Sequence, residues 1–236
     1  YTFNSKDGHS VIHCRKWIPD GNVVAVVQLV HGMVEYIERY DEFATFLSSK
    51  GYLVVGHDHI GHGHSVKSDD ELGVMAGKHP SDIMVEDIYT HYAMTKKAYS
   101  SVPYYILGHS MGSYMLRKFL SVKSAYLEEL TGAVIMGTGQ EAAATCNAGL
   151  AVIAILSLFK GKNYRSTFVR DMTYSKPYKQ YDCYGKDYSR SWLSKNIESV
   201  EKYYHDKYCT FTFTVNAYKG LVGGTKYDGT EEGVNK

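Results

Sequence analysis

A Gly-His-Ser-Met-Gly pentapeptide at residues 108–112 constrains the fold of this chain more than any other feature. An apolar and aromatic run at 104–107 precedes it, and a helical pattern begins directly after Ser110. G-x-S-x-G between a strand and a helix holds a nucleophilic serine on a sharp, strained turn. Side chains at Gly108 or Gly112 would collide with the neighbouring strand and helix. A chance pentapeptide is the alternative, but the flanking strand and helix favour Ser110 as a nucleophile.

The composition allows one large domain, or a core with an insertion, and excludes few function classes. The 236 residues carry 26 Lys+Arg and 25 Asp+Glu, and a net charge of +1 gives no indication of a nucleic-acid surface or a basic membrane anchor. Four cysteines without C-x-x-C spacing predict reduced thiols and a cytoplasmic location. The start has no signal-peptide pattern, and the longest apolar run, 148–159, is shorter than a bilayer span.

Apolar runs alternate with helical patterns along the first 139 residues. Strands are predicted over 1–5, 11–18, 23–30, 52–55, 104–107 and 133–136, the last four of them buried. Helices are predicted over 37–47, from 80 onward with Ser81 as N-cap, and over 111–122. This order predicts an α/β fold with a mostly parallel central sheet flanked by helices. Sites in such sheets lie at the carboxyl ends of the strands. His31, the His-rich loop at 57–64 and Ser110 all fall at such ends.

The strand–helix alternation stops after Gly139, which predicts an insertion. Residues 141–159 are apolar with a helical pattern, and 161–208 contain no long buried strand. We therefore predict a core over 1–139, a helical lid over 140–215, and a return helix and linker over 216–236. The apolar stretch 148–159 could line an acyl pocket, make transient contact with a membrane interface, or simply pack the lid onto the core.

His31-Gly32-Met33 directly follows a predicted buried strand, where serine hydrolases with such a turn supply their second oxyanion donor. The two predicted donors are the backbone N–H groups of Met33 and Met111. Removal of one such donor costs about 3 kcal/mol of transition-state stabilisation in other enzymes. His31, Gly32 and His109 are candidates for lining the cleft. An ordinary strand-to-loop turn is the alternative for residues 31–33.

Residues 57–64 contain four histidines and one aspartate, so a metal site has to be considered. The stretch lacks the H-E-x-x-H spacing of zinc enzymes and has no carboxylate pair nearby. Gly61 and Gly63 instead indicate a tight loop close to the turn that carries Ser110, which we call the elbow. The histidines would then be hydrogen-bonding groups of that loop. We therefore predict no metal and no cofactor.

Three motifs together resemble the monoacylglycerol lipase/lysophospholipase branch of the α/β-hydrolase fold, also described as serine aminopeptidase S33 or hydrolase-4. They are Leu-Val-His-Gly-Met-Val-Glu-Tyr at 29–36, Gly-His-Asp-His-Ile-Gly-His-Gly-His-Ser at 56–65, and Gly-His-Ser-Met-Gly-Ser at 108–113. The resemblance covers residues 1 to about 139 closely and the lid loosely, through 190–194 and 208–211. It implies a serine hydrolase that cleaves small or lipid-like acyl esters through an acyl-enzyme on Ser110. It leaves the oligomeric state and the physiological substrate open.

The resemblance also implies a Ser-Asp-His triad in that chain order, and here the sequence departs from the family. Asp228 is the only aspartate after the lid, no buried strand precedes it, and no histidine follows it. We therefore leave Asp228 unassigned and expect the triad Asp and His to lie outside this chain. The 236 residues are then expected to be a fragment that lacks the C-terminal strands, with an inactive relative as the alternative. A fragment is favoured, because a sheet ending here would expose an apolar edge, which natural proteins avoid.

Three classes of function remain open. A serine ester hydrolase is the leading hypothesis, with monoacylglycerol lipase, lysophospholipase and carboxylesterase as its variants. An aminopeptidase-type serine hydrolase would use the same nucleophile on an amide. A non-catalytic binding protein on the same fold is the third, because a serine without its base is a weak nucleophile and fold alone does not fix function.

Overall fold

The computed structural model describes residues 1–175 and 193–234. Six strands form one sheet in the order β1-β2-β4-β3-β5-β6. Their bounds are β1 Thr2–Asn4, β2 Val11–Trp17, β3 Ala25–Val30, β4 Tyr52–His57, β5 Tyr104–His109 and β6 Gly132–Met136. Strands β3 to β6 run parallel, and β2 pairs antiparallel with both β1 and β4. This is the predicted mostly parallel sheet.

The register between β3 and β5 places the ends of these two central strands side by side. Val30 at the end of β3 lies opposite Gly108 of β5. His109 of β5 in turn lies opposite Met136 of β6. The loops that follow β3, β5 and β6 therefore leave the same edge of the sheet next to one another, as expected for parallel strands.

Eight α-helices of the described residues surround the sheet. They are α1 Asp41–Ser48, α2 Pro80–Ala98, α3 Met111–Val122, α4 Ala143–Lys160, α5 Thr167–Arg170, α6 Ile197–His205, α7 Val215–Asp228 and α8 Glu231–Val234. Short 3₁₀ helices cover Ile37–Tyr40, Asp69–Glu71, Ser124–Tyr126 and Lys207–Cys209, and a π-helical turn covers Asp171–Ser175. The apolar run at 148–159, which is shorter than a bilayer span, lies within the 18-residue helix α4. By length and composition alone the whole of α4 could cross a membrane, and it is the one such helix among the described residues.

The sheet carries a hydrophobic cluster on each face, so β3 is buried along its whole length. The larger cluster joins the sheet to α2, α3 and α7, and the smaller one joins it to α1. Gln28 is the polar exception inside β3. Its amide accepts a hydrogen bond from Tyr104 Oη at 2.7 Å and donates one to Ile88 O at 3.2 Å. A buried amide with both ends paired avoids the cost of unmet hydrogen bonds.

Two local predictions differ from the structure. The strand at 133–136 was expected to be buried, but Val134, Ile135 and Met136 are exposed, because β6 is the edge strand of the sheet. Ser81 was expected to cap α2, but His79 is the N-cap and Pro80 is the first helical residue. Proline suits that position because its missing N–H would have no helical acceptor.

The segment predicted as a lid contacts the core in several places, one of them through Arg165, which donates to Leu72 O at 2.6 Å. Helix α4 packs against α7, which lies across α2 and α3. Residues 197–209 instead lie beside the loop after β3, where Tyr36 Oη donates to the Asp206 carboxylate at 2.8 Å. The residues 190–192 that carried part of the family resemblance lie outside the described residues. The lid and its boundaries remain predictions.

Asp228 at the end of α7 is a buried carboxylate with poor compensation. Neither oxygen has a hydrogen-bond partner among the described residues, and the nearest cation is Arg117 Nη1 at 3.8 Å. Burial raises the pKa of Asp228 to about 7, despite the opposing effect of Arg117 and Lys118. Because the folded-state pKa exceeds the unfolded one, this group contributes most stability below about pH 4, and that contribution is lost as the pH rises through 7.

Replacing Asp228 with asparagine should therefore stabilise the protein at pH 8 and change little at pH 4. We expect a gain of roughly 1–2 kcal/mol, or a rise in Tm of roughly 2–8 °C for a chain of this size. Urea unfolding at both pH values measures the effect, with Asp20→Asn on an exposed turn as the control. A gain that is equal at pH 4 and pH 8 would contradict the electrostatic explanation.

Candidate active site

Ser110 lies on the turn between β5 and α3 with φ +51° and ψ −118°, a conformation that is costly for a residue with a side chain. Hydrogen bonds hold the turn on both sides. Ser110 N–H donates to Met136 O at 2.9 Å, and the Ser113 hydroxyl and N–H donate to Ser110 O at 2.6 and 2.9 Å. The strand, the strained serine and the helix occur where the pentapeptide predicted them.

The two glycines of the elbow are required by close backbone contacts. A Cβ atom on Gly108 would lie 2.6 Å from Gly112 O. A Cβ atom on Gly112 would lie 2.6 Å from His31 O and closer still to Val30 O. Cβ atoms do not approach backbone oxygens this closely, so the collision expected from the sequence is confirmed. The start of α3 is pressed against the end of β3.

The 31–36 loop, which follows β3, lies directly against the elbow. A Cβ atom on Gly32 would lie 3.1 Å from Ser110 Cβ and 3.3 Å from His109 O. The loop that carries Met33 and the helix start that carries Met111 therefore meet at Ser110. The first N–H groups of a helix lack acceptors within the helix, which leaves Met111 N–H available to a ligand. The oxyanion role of Met33 and Met111 remains a prediction.

Val34 is the second strained residue of the site. In the described chain, only Val34 and Ser110 have positive φ among residues other than glycine, and φ of Val34 is +56°. This angle is a clear outlier for a β-branched residue. Val34 N–H donates to His62 Nε2 at 3.3 Å, and Tyr203 Oη donates to Val34 O at 3.0 Å. Hydrogen bonds on both sides thus maintain the strained peptide.

Glu35 links the 31–36 loop to the elbow, a role that the sequence did not reveal. Its Oε1 accepts hydrogen bonds from Gly32 N–H at 2.5 Å, from Tyr40 Oη at 3.1 Å and from His109 Nδ1 at 3.1 Å. Arg39 Nε lies 3.6 Å from its other oxygen. Glu35 stood within the family motif at 29–36, but nothing in the pattern indicated which side chain it would contact.

The charges of Glu35 and His109 stabilise each other. Burial raises the pKa of the Glu35 carboxyl, but the hydrogen bond and charge of His109, the Gly32 N–H and Arg39 together bring it below its usual value. The hydrogen bond to Glu35 raises the pKa of His109, against the opposing effect of burial. An ionised carboxylate beside a more basic imidazole favours a charged pair next to Ser110.

A cluster of five buried histidines lies below the 31–36 loop and comprises His31, His57, His59, His62 and His91. His31 Nε2 accepts from His59 N–H at 3.0 Å, and the Nδ1 atoms of His57 and His91 are 3.0 Å apart. Of the three residues expected to line a cleft, His31 and Gly32 are buried and His109 is partly exposed. Burial lowers the pKa of His62 to about 4 and that of His59 and His91 to about 3. The cluster is therefore neutral near pH 7.

One group of described residues has donor atoms close enough to hold a metal ion, with His13, Glu38 and Asp58 within 4.8 Å of one another. Internal contacts already occupy most of these donors. His13 Nε2 donates to Glu38 Oε1 at 2.8 Å, and the two Asp58 oxygens accept from the N–H groups of Ile37 and His64, both at 2.7 Å. The arrangement is that of a hydrogen-bonded loop anchor.

The Ser110 hydroxyl has no hydrogen-bond partner within residues 1–175 and 193–234. Asp228, which the sequence left unassigned, lies beside Arg117 on α3. The elbow, the 31–36 loop and the helix start thus come together around Ser110. The triad Asp and His remain predictions.

Comparison with known proteins shows which family and which relatives this chain is similar to. The profile of the Hydrolase_4 family, described as serine aminopeptidase, S33, matches residues 21–230. The monoglyceride lipase of Mus musculus is 39% identical over 101 residues, or 43% of this chain and 31% of that protein. The monoglyceride lipase homolog of Monkeypox virus is 42% identical over 102 residues, or 43% of this chain and 35% of that protein. The matched region spans about a third of these relatives.

The fold is also that of a solved structure. A crystal structure of a thermostable carboxyl esterase from Bacillus coagulans has a TM-score of 0.84, covering 97% of this chain and 72% of that one. The sequence identity is 22%, so this likeness concerns the fold alone. It confirms the predicted α/β-hydrolase fold.

The neutral histidine cluster should make His91→Gln less harmful in acid than at neutral pH. The folded-state pKa of His91 is depressed to about 3, so its contribution is complete above the unfolded pKa of about 6.5 and is lost as the pH falls. Glutamine does not titrate, so the stability of the His91→Gln variant does not include this loss in acid. We expect the destabilisation by His91→Gln to shrink by roughly 2–3 kcal/mol between pH 7 and pH 4.5.

Urea unfolding of both proteins at several pH values measures this difference. His205→Gln, the same substitution at an exposed site on α6, is the control. A constant difference between wild type and His91→Gln across this range would contradict a neutral His91.

Proposed function

The chain belongs to the serine aminopeptidase S33 family, and on that premise we propose that it hydrolyses carboxylic esters of small or lipid-like acyl groups. The observation that carries the proposal is Ser110, strained at φ +51° on the elbow, with the Gly32 backbone packed against its Cβ. Strain of this kind concentrates at functional sites. The names of the relatives support an ester of a lipid, because both curated proteins are monoglyceride lipases or homologues of one.

In the proposed reaction, Ser110 Oγ attacks the ester carbonyl and its proton passes to the triad histidine. The oxyanion that forms accepts hydrogen bonds from the N–H groups of Met33 and Met111. The histidine returns the proton to the leaving alcohol, which leaves an acyl-enzyme on Ser110. Water then releases the acid by the same steps. The triad Asp and His are proposed to come from outside the 236 residues.

Helix α4 supports a lipid-like substrate or a transient membrane contact. Leu156 is partly buried and packs against the core, whereas Leu158 and Phe159 are 80% and 77% exposed. An apolar helix with one face packed and another in solvent suits contact with an acyl chain or a membrane interface. Monoacylglycerols, lysophospholipids and simple carboxylic esters all remain candidate substrates.

An aminopeptidase activity is the second candidate, favoured by the description of the matching family. It would use the same acyl-enzyme chemistry on an amide. Comparing the rates of hydrolysis of an acyl ester and an aminoacyl amide by the intact natural protein separates the two. A non-catalytic binding protein is the third candidate, since the Ser110 hydroxyl has no hydrogen-bond partner among the described residues.

Replacing Ser110 with alanine should abolish ester hydrolysis without unfolding the protein. Because the nucleophile and its base act as a unit, we expect a loss of roughly 10⁴-fold or more in kcat. Intact mass spectrometry after treatment with a fluorophosphonate probe should show one adduct on wild type and none on Ser110→Ala.

Ser121→Ala is the control for that substitution. Ser121 lies on the same helix, facing Tyr227, and its loss should leave the adduct in place. Ester hydrolysis that persists in Ser110→Ala would contradict the assignment of Ser110 as the nucleophile. Failure of wild type to form any adduct would bring the binding-protein hypothesis forward.

Replacing Leu156 and Phe159 together with serine should slow the hydrolysis of long-chain esters more than that of acetate esters, if α4 lines an acyl pocket. We expect a difference of roughly tenfold or more, since each buried methylene contributes about 0.8 kcal/mol. The ratio of kcat/KM for the two esters is the measurement. Phe46→Ser, at an exposed site on α1, is the control. Equal effects on both esters would indicate that α4 is purely structural.

A further inference from the structure

We propose that Glu35 is a positioning residue that sets the 31–36 loop against the nucleophile elbow through His109. The inference rests on the proposed function, because the loop and the elbow must then meet in a fixed geometry for the reaction. Glu35 has no role in the proposed bond-making steps. It would act through the backbone atoms of the loop and through the residue before Ser110.

A single oxygen of Glu35 connects three parts of the chain. Oε1 accepts from Gly32 in the loop at 2.5 Å, from Tyr40 in the 3₁₀ helix at 3.1 Å and from His109 at the end of β5 at 3.1 Å. Glu35 is buried, so these bonds form in a low-dielectric environment where charge-assisted hydrogen bonds are strong. Moving any one donor would disturb the other two.

The bond to Gly32 also determines which N–H groups of the loop remain free. It closes a ring from Gly32 N–H to the side chain three residues later, with Met33 and Val34 between them. The Gly32 N–H is thereby consumed, and the Val34 N–H is consumed by His62. Met33 supplies the N–H between these two occupied groups. By occupying the Gly32 N–H, the Glu35 carboxylate leaves the Met33 N–H as the group of the loop that can bind the oxyanion.

The bond to His109 fixes the other half of the site. His109 precedes Ser110 directly, and its ring is held by Glu35 and lies 3.2 Å from Tyr40 Oη. The charged or titratable groups that face Glu35 come from four elements. They are His109 from β5, Arg39 and Tyr40 from the 3₁₀ helix at 37–40, His62 from the His-rich loop, and Cys209 from the 3₁₀ helix at 207–209. Loss of the carboxylate would leave His109 and Arg39 without their shared counter-charge beside the nucleophile.

Glu38 provides a matched comparison, because it makes the same kind of contact away from the elbow. It lies three residues later and pairs with His13 Nε2 at 2.8 Å, as Glu35 pairs with His109. Within the described residues it makes no hydrogen bond to Gly32, His109 or Ser110. A general loss of stability should follow either substitution, but a loss of positioning should follow only the substitution of Glu35.

The test compares Glu35→Gln, Glu35→Ala and Glu38→Gln in the intact natural protein. Glutamine keeps an acceptor for Gly32 N–H but not the charge, whereas alanine removes both. We expect kcat to fall about tenfold in Glu35→Gln and about 100-fold in Glu35→Ala, with KM within about twofold of wild type. Glu38→Gln should keep wild-type kcat. The pKa of His109, followed by NMR titration, should fall in both Glu35 variants only.

The outcomes separate the inference from the proposed function. Wild-type kcat in both Glu35 variants, or an unchanged His109 titration, would overturn the inference while leaving Ser110-dependent hydrolysis intact. A KM that rises with unchanged kcat would also overturn it, because that indicates altered substrate binding. Absence of hydrolysis in wild type would remove the proposed function, and the positioning role with it.

Discussion

The structure depends on the close contact between the start of α3 and the end of β3. Helix α3 can approach this closely only because residue 112 has no side chain, and its neighbours across the contact are the backbone oxygens of Val30 and His31. This contact brings the turn that carries Ser110 next to the loop that begins at His31. The β3–β5 register has the same effect, because Val30 lies opposite Gly108. The site is therefore built from the backbone first and from side chains second.

A polar interior lies below the loop, and the loop itself contributes His31 and Glu35 to it. Buried polar groups of this kind need partners. The His31–His59 bond and the ring contacts of His62 supply them, and burial keeps these rings neutral. Glu35 is the charged exception, and it lies where His109 and Arg39 can balance it. The neutral histidines thus pack beneath the 31–36 loop, and the charged Glu35 ties the same loop to His109 of the elbow.

The pentapeptide and the strand–helix order were sufficient to predict the sheet, the helix that begins at Met111 and the position of Ser110. These features rest on local periodicity and on steric limits at two glycines, which a sequence displays directly. Local sequence patterns could not predict the contact of Glu35 with His109, because these residues are 74 positions apart. The prediction of a buried β6 rested on its apolar run alone, although the expected lack of C-terminal strands already implied an exposed apolar edge. The strain at Val34 was also hidden, because valine favours ordinary strand angles.

The hydrogen bond from Tyr203 to Val34 joins two segments that lie 169 residues apart. It holds the carbonyl of a peptide whose conformation stores about 1–3 kcal/mol. Movement of α6 away from the core would release that carbonyl, and the peptide could then relax toward ordinary angles. The conformation of the loop beside Ser110 thus depends on the position of α6, a helix far away in sequence that contacts the loop. A docked α6 and a strained Val34 therefore belong to the same state of the molecule.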